Sequence, residues 1–313
     1  MKIYNVVKIP QGLGYDQFDY EEVWQSGYTA GYESGYTDGQ NDCPRPDYRN
    51  MPLTFEFLNN GTLFFKSEYN GQAAGQQPLY RTIQYSLNGG DWSSITSSVG
   101  QGTPIVVQAG DILQVRGNNA NYAWADSYFV KNNFFSVSSG CSFNVYGNAM
   151  SLINSTNYQN LEEFTASHAL AGLFKGNSGL LSAENLVLPA TGLTSTCYAT
   201  MFTDCTKLTT APELPATTLA QNCYAGMFMG CKSLARVPEL PATTLMPTCY
   251  AWLFRECTSL HYVKCMATDV SARNCLQDWF LSAATTGTFV KAAGAVWPRG
   301  TSGIPNNWTI EEE

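Results

Sequence analysis

Apolar and polar positions alternate along the first half of the chain. Leu53-Thr54-Phe55-Glu56-Phe57-Leu58 has the two-residue period of a half-buried strand. Asn59-Asn60-Gly61-Thr62 is a turn signal, and Leu63-Phe64-Phe65-Lys66 reads as the return strand of a hairpin. Ile83-Gln84-Tyr85-Ser86-Leu87 alternates again, turns at Asn88-Gly89-Gly90-Asp91 and returns as Trp92-Ser93-Ser94-Ile95. Pro104-Ile105-Val106-Val107 and Ile112-Leu113-Gln114-Val115-Arg116 form a further predicted pair across Ala109-Gly110-Asp111. Phe134–Val137 and Cys141–Tyr146 close the set. Short strands at regular spacing, joined by Gly/Asn turns, predict a small β-sandwich over residues 51–150.

Beyond residue 150 the pattern becomes a repeat. Leu188-Pro189-Ala190-Thr191 returns at Leu214–Thr217 and Leu240–Thr243, a period of 26 residues. Cys197-Tyr198-Ala199 aligns with Cys223-Tyr224-Ala225 and Cys249-Tyr250-Ala251 without gaps. Phe202, Phe228 and Phe254 align, as do Cys205, Cys231 and Cys257, and Leu208, Leu234 and Leu260. A degenerate leading copy holds Leu173, Phe174 and Leu180, with Asn177 at the second cysteine position. A trailing copy holds Cys275 and Phe280, with Ala283 at that position. Cys223, Met227 and Cys231 stand at i, i+4 and i+8, with Tyr224 and Phe228 beside them, which predicts one short amphipathic helix per unit. Leu234, Val237 and Leu240 follow in an extended segment where Pro238 and Pro241 bar a helix. A helix and an extended segment every 26 residues predict a solenoid whose units bury their apolar faces on one another.

Residues 1–50 follow neither pattern. Gly27, Gly31, Gly35 and Gly39 recur every fourth residue, with Tyr28, Tyr32 and Tyr36 directly after the first three. On a helix these glycines make a bare stripe flanked by tyrosines, suited to close docking or oligomerisation. The other reading is a flexible Gly-rich linker. Cys43-Pro44-Arg45-Pro46 and Met51-Pro52 end any helix there and mark a boundary.

Two resemblances follow from these motifs. Tyr85-Ser86-Leu87-Asn88-Gly89-Gly90-Asp91-Trp92 resembles a hairpin of Ig-like modules in bacterial surface and phage structural proteins. The repeated LPAT…CY…MF motif, over about residues 165–310, resembles the BspA-like leucine-rich repeats of gut Bacteroidales surface proteins and of the tail or fibre proteins of their phages. Gly287–Lys291 followed by Gly303–Ile310 is similar to the closing segment of such arrays. The GYxxGYxxG stretch resembles N-terminal segments of phage structural proteins. These resemblances imply a multi-domain chain: an N-terminal helical or extended docking segment (1–50), an all-β Ig-like sandwich (51–150) and a C-terminal α/β leucine-rich-repeat solenoid with a C-terminal cap (151–313). They also imply a non-enzymatic virion protein, a tail or head fibre that binds a host receptor through its repeats. The alternatives are a bacterial cell-surface adhesin and a virion decoration protein whose repeats only pack.

Composition narrows the functional classes. Charged residues are 13% of 313, and 25 acidic against 17 basic side chains give a net charge of −8. A duplex nucleic-acid binder needs a basic face, so nucleic acid is not an expected partner. No run of 18 apolar residues occurs, so no membrane insertion is expected. Asn5, Lys8, Pro10 and Gln11 interrupt any secretory apolar core, so the expectation is synthesis in the host cytoplasm and release within a virion. Two histidines, His168 and His261, leave little room for acid–base or zinc chemistry. His168 is expected in a surface or capping role, and His261 at a tolerated variable position. None of the G-x-S-x-G, HExxH, P-loop and GxGxxG patterns is present. No catalytic residue, cofactor or metal is expected. The ten cysteines are read as a ladder of small buried residues, with disulfides allowed by spacing alone.

Candidate contacts come from positions that vary between aligned repeats. These are Ser195-Thr196, Gln221-Asn222 and Pro247-Thr248, then Thr200/Gly226/Trp252, Thr203/Met229/Arg255 and Asp204/Gly230/Glu256. Trp252, Arg255 and Met229 are the candidate ligand contacts, because Trp and Arg are favoured at interfaces. Tyr122 and Trp124, after a Gly/Asn-rich stretch, are candidates for stacking on a glycan. The expected partners are other virion proteins through the N-terminus, a host-surface glycan or protein, and further copies of the chain in a homo-oligomer, a trimer among the options.

Overall fold

A computed structural model describes residues 46–69, 78–125 and 130–313. The Gly27–Gly39 docking segment therefore lies outside the described residues. Asp47–Glu313 is one compact unit.

Two sheets pack face to face at its start. Strands β1 (Leu53–Phe57), β3 (Thr82–Leu87), β4 (Ser93–Thr96), β7 (Ile112–Gly117) and β10 (Phe143–Asn148) form the first, in the order β10-β1-β7-β3-β4. Strands β2 (Gly61–Tyr69), β5 (Ser98–Val99), β6 (Thr103–Val107), β8 (Ala123–Ala125) and β9 (Val130–Val137) form the second. Phe55 of β1 meets Phe135 of β9 edge to face at 5.0 Å between ring centres, so the inner faces join in one aromatic core. β3 and β4 are the hairpin read from Asn88-Gly89: both central residues have positive φ, and the Gly90 N–H donates to the Leu87 carbonyl (3.0 Å). The two other predicted pairs do not form. β1 and β2 lie in different sheets, as do β6 and β7. The turn at Gly61 instead carries the chain across the sandwich, where a Cβ would stand 2.5 Å from Cβ of Cys141.

Both sheets continue into the repeats. Strands β11 (Leu180–Ser182) and β12 (Leu186–Val187) add in parallel to β10, pairing Phe143 with Leu180 and Gly147 with Leu186. On the other sheet, the Phe135 N–H of β9 donates to the Leu173 carbonyl (2.9 Å) and the Tyr122 N–H to the Ala169 carbonyl (2.8 Å). A third, parallel sheet of β13 (Tyr262–Cys265), β14 (Thr288–Lys291) and β15 (Thr309–Glu312) lies near the C-terminus.

The α/β leucine-rich-repeat solenoid is not what forms. No α-helix occurs among the described residues, and none of the three sheets makes a solenoid. The segment expected to be helical is a ribbon of turns. Alternate N–H groups bond locally, Cys197 to Thr194, Ala199 to Thr196 and Met201 to Tyr198. The intervening ones bond to the next repeat: Tyr198 to Cys223 (3.0 Å), Thr200 to Ala225 (2.9 Å) and Phe202 to Met227 (2.9 Å). Every fourth residue has positive φ: Thr196, Thr200 and Asp204, then Asn222, Gly226 and Gly230, then Thr248, Trp252 and Glu256. An α-helix sends every N–H to the fourth residue back and holds φ negative throughout. A four-residue apolar spacing is common to both structures, which is why the sequence pattern read as a helix.

Consecutive repeats stack in register. Tyr198 lies on Tyr224 at 5.7 Å and 6° between planes, and Phe202 on Phe228 at 5.6 Å and 4°. Beside the phenylalanines, Cys205 Sγ donates to the Phe174 carbonyl (3.1 Å), Cys231 to Phe202 (3.1 Å) and Cys257 to Phe228 (3.0 Å). In the leading copy Asn177 takes this place, its Nδ2 donating to the carbonyl of Phe135 on β9 (2.6 Å). Phe135 in turn stacks on Phe174 at 6.3 Å. β9 thus supplies the ring and the carbonyl that a preceding repeat would supply. At the far end the columns stop on Trp279, backed by Trp297 at 5.6 Å. All nine described cysteines are buried and free.

Candidate functional site

The positive-φ residues form rows across the stacked ribbons, because between full repeats each cross-ribbon N–H reaches 25 residues ahead and so sets residues 26 apart side by side. Where those residues are small, the surface is hollow. A groove of about 490 Å³ runs there over successive repeats. It is lined by His168 of the leading copy, by Thr196, Ala199 and Thr200, by Asn222, Ala225, Gly226 and Met229, and by Trp252 and Arg255 of the third full repeat.

Three of the candidate contacts, Met229, Trp252 and Arg255, thus meet in one groove. Each is half-buried. Arg255 Nε lies 3.3 Å from Glu256 Oε1, an exposed pair that leaves its two terminal nitrogens without a partner among the described residues. Trp252 holds φ +56° and is half-buried in the groove lining. Among the described residues neither its indole N–H nor Thr200 Oγ1 nor the Asn222 amide has a hydrogen-bond partner. Thr203, aligned with Met229, turns inward instead and donates to the Gly226 carbonyl (2.8 Å).

The other two candidates lie elsewhere. Tyr122 is a core residue with no exposed surface, a correction to its reading as a glycan contact. Its hydroxyl donates to the Leu152 carbonyl (3.1 Å) and accepts from Asn119 Nδ2 (2.9 Å), and burial pushes its pKa up. Trp124 is 38% exposed with the Lys131 ammonium 5.5 Å from its ring centre, outside the groove lining. The sequence reading missed His168 as a groove residue. Its ring borders the groove at the first ribbon, its Nδ1 is buried without a partner among the described residues, and desolvation holds its pKa below the ordinary value. The signal for His168 lay in its spacing, four residues before Gly172 and eight before Gly176.

No group of three metal-ligating side chains occurs among the described residues. Nor is any described helix long and apolar enough to cross a membrane. The chain matches no protein-family model, no curated protein and no solved structure in comparisons with each, so nothing there identifies the BspA-like family its repeat motif resembles.

Proposed function

We propose that this protein is a non-enzymatic virion appendage that holds a host-surface ligand in the groove across its stacked repeats. The observation that carries this reading is the groove itself. Its lining varies at aligned positions such as Thr196/Asn222 and Thr200/Gly226/Trp252, while Ala199 and Ala225 and the rings and thiols beneath repeat unchanged. A surface that only packed against identical neighbours would gain from uniform rows; a recognition surface gains from local differences. In this reading residues 1–50 attach the chain to other virion proteins, and several copies act together, since weak sites gain strongly from avidity.

Two measurements test it. Immunogold labelling of purified particles places the chain on the virion. Labelled full-length chain then binds intact cells of a Bacteroidales host panel, and Thr200→Trp, which fills the groove, removes that binding. Equal binding by the filled variant, or binding to no host, overturns the reading.

A further inference from the structure

We propose that the occupant of the groove is an acidic saccharide, with one sugar ring on the Trp252 face and its carboxylate or sulfate on the terminal nitrogens of Arg255. This deepens the receptor-binding reading and rests on it.

The chemistry of the lining selects the ligand class. A peptide added as a strand needs free backbone groups. Here the N–H groups of Thr200, Gly226 and Trp252 already donate to Ala225, Ala251 and Gln277. What the groove offers is side chains with unused capacity: the Thr200 hydroxyl, the Asn222 amide, the Trp252 indole N–H and two nitrogens of Arg255. Hydroxyl and amide groups beside an aromatic face match a sugar ring, which has an apolar face and a rim of hydroxyls. Arg255 is the charged residue of the lining, in a chain whose net charge is −8. A planar guanidinium with two free nitrogens suits bidentate binding of a carboxylate. Its pair with Glu256 is exposed and worth little, so it yields to a ligand. From His168 to Arg255 the groove crosses three repeat steps, about 14 Å at the usual strand spacing, longer than one sugar ring.

The test uses the full chain on immobilised saccharides, each acidic one paired with its carboxyl-reduced or desulfated counterpart. Acidic members bind, and their neutral counterparts bind at least about tenfold more weakly, the span of one charge-assisted hydrogen bond. Arg255→Gln brings acidic ligands down to the neutral level, and Trp252→Ala weakens both; thermal melting of each variant confirms that it is folded. Arg255→Gln is the decisive variant, because its side chain is half exposed and outside the core. Equal binding of the paired saccharides, or acidic binding untouched by Arg255→Gln, overturns the proposal. If the chain adheres to cells through the groove yet binds no acidic saccharide, the ligand class is overturned and the receptor reading stands. Acidic binding without cell adhesion upholds the ligand class and overturns the receptor reading.

Discussion

At the scale of single residues, the repeats depend on a backbone conformation that L side chains resist. A non-glycine residue at positive φ costs roughly 1–2 kcal/mol, less for Asn and Asp. Ser282 holds φ +60° on the exposed face of the last ribbon, outside the groove. Ser282→Gly relieves that strain and loses part of the gain to a more flexible unfolded chain, leaving a stabilisation of up to about 1 kcal/mol in urea unfolding. Gly230 is the opposite case, with φ +74° and Asp204 Oδ1 only 2.2 Å from where a Cβ would stand. Gly230→Ala is therefore destabilising by about 1–2 kcal/mol in the same assay. This feature was legible in the sequence. Asn222, Gly226 and Gly230, like Asn274 and Asp278, place residues tolerant of positive φ at intervals of four. The apolar spacing runs at the same interval and fits a helix equally well. Trp252 carried no such signal, because a bulky residue at positive φ is rare and is held there only by its neighbours.

At the scale of an element, each column of like side chains behaves as a unit. Phe228 lies between Phe202 and Phe254, at 5.6 and 6.3 Å. Phe228→Ala opens a gap in mid-column and costs about 3–5 kcal/mol, read as a fall in the urea midpoint at constant slope. The thiols beside it are sealed. Burial pushes the thiols of Cys197, Cys257 and Cys265 up to about 12, well above the ordinary thiol range. In folded protein at pH 8 the nine described thiols thus react with a thiol reagent only as fast as the fold opens, and they react freely in denaturant. The sign of the pH effect follows from the raised values. Below pH 9 the thiols are protonated in both states and their contribution is complete. From pH 9 to about 12 the unfolded chain releases these protons and the folded one keeps them, so stability falls with rising pH. A melting temperature that is flat or rises between pH 9 and 11 contradicts this assignment. The repeat register and the burial of its cysteines were readable, because a fixed period places like on like. The ribbon was not, because cross-repeat hydrogen bonds leave no mark on local apolar spacing.

Across the whole molecule, sandwich and repeats share one core. Phe55, Phe135, Phe174 and Phe202 connect the first sheet, the second sheet and two successive repeats. Thermal unfolding followed at tryptophan and at the far-ultraviolet β signal is expected to give a single coincident transition. A fragment of residues 151–313 alone loses the carbonyl that Asn177 bonds and the ring that Phe174 covers. It is expected to be unfolded or aggregated by sedimentation, and a stable monomer would refute the shared core. The strands of the sandwich were legible from alternation and turns, but their partners were not. Pairing between β10 and β11, or β9 and the first ribbon, joins residues about 40 apart through geometry that no local pattern carries.

Because β9 already stands in for a preceding repeat and the tryptophans seal the other end, everything between them is interchangeable. The stretches Leu214–Leu219 and Leu240–Leu245 are identical, LPATTL in both. Unequal crossing-over between their coding sequences adds or removes a whole 26-residue unit without touching either seal. Each such event lengthens or shortens the groove by one step, about 4.8 Å, and reshuffles which side chains line it. The length and lining of the groove can thus change by counting units rather than by redesigning a fold.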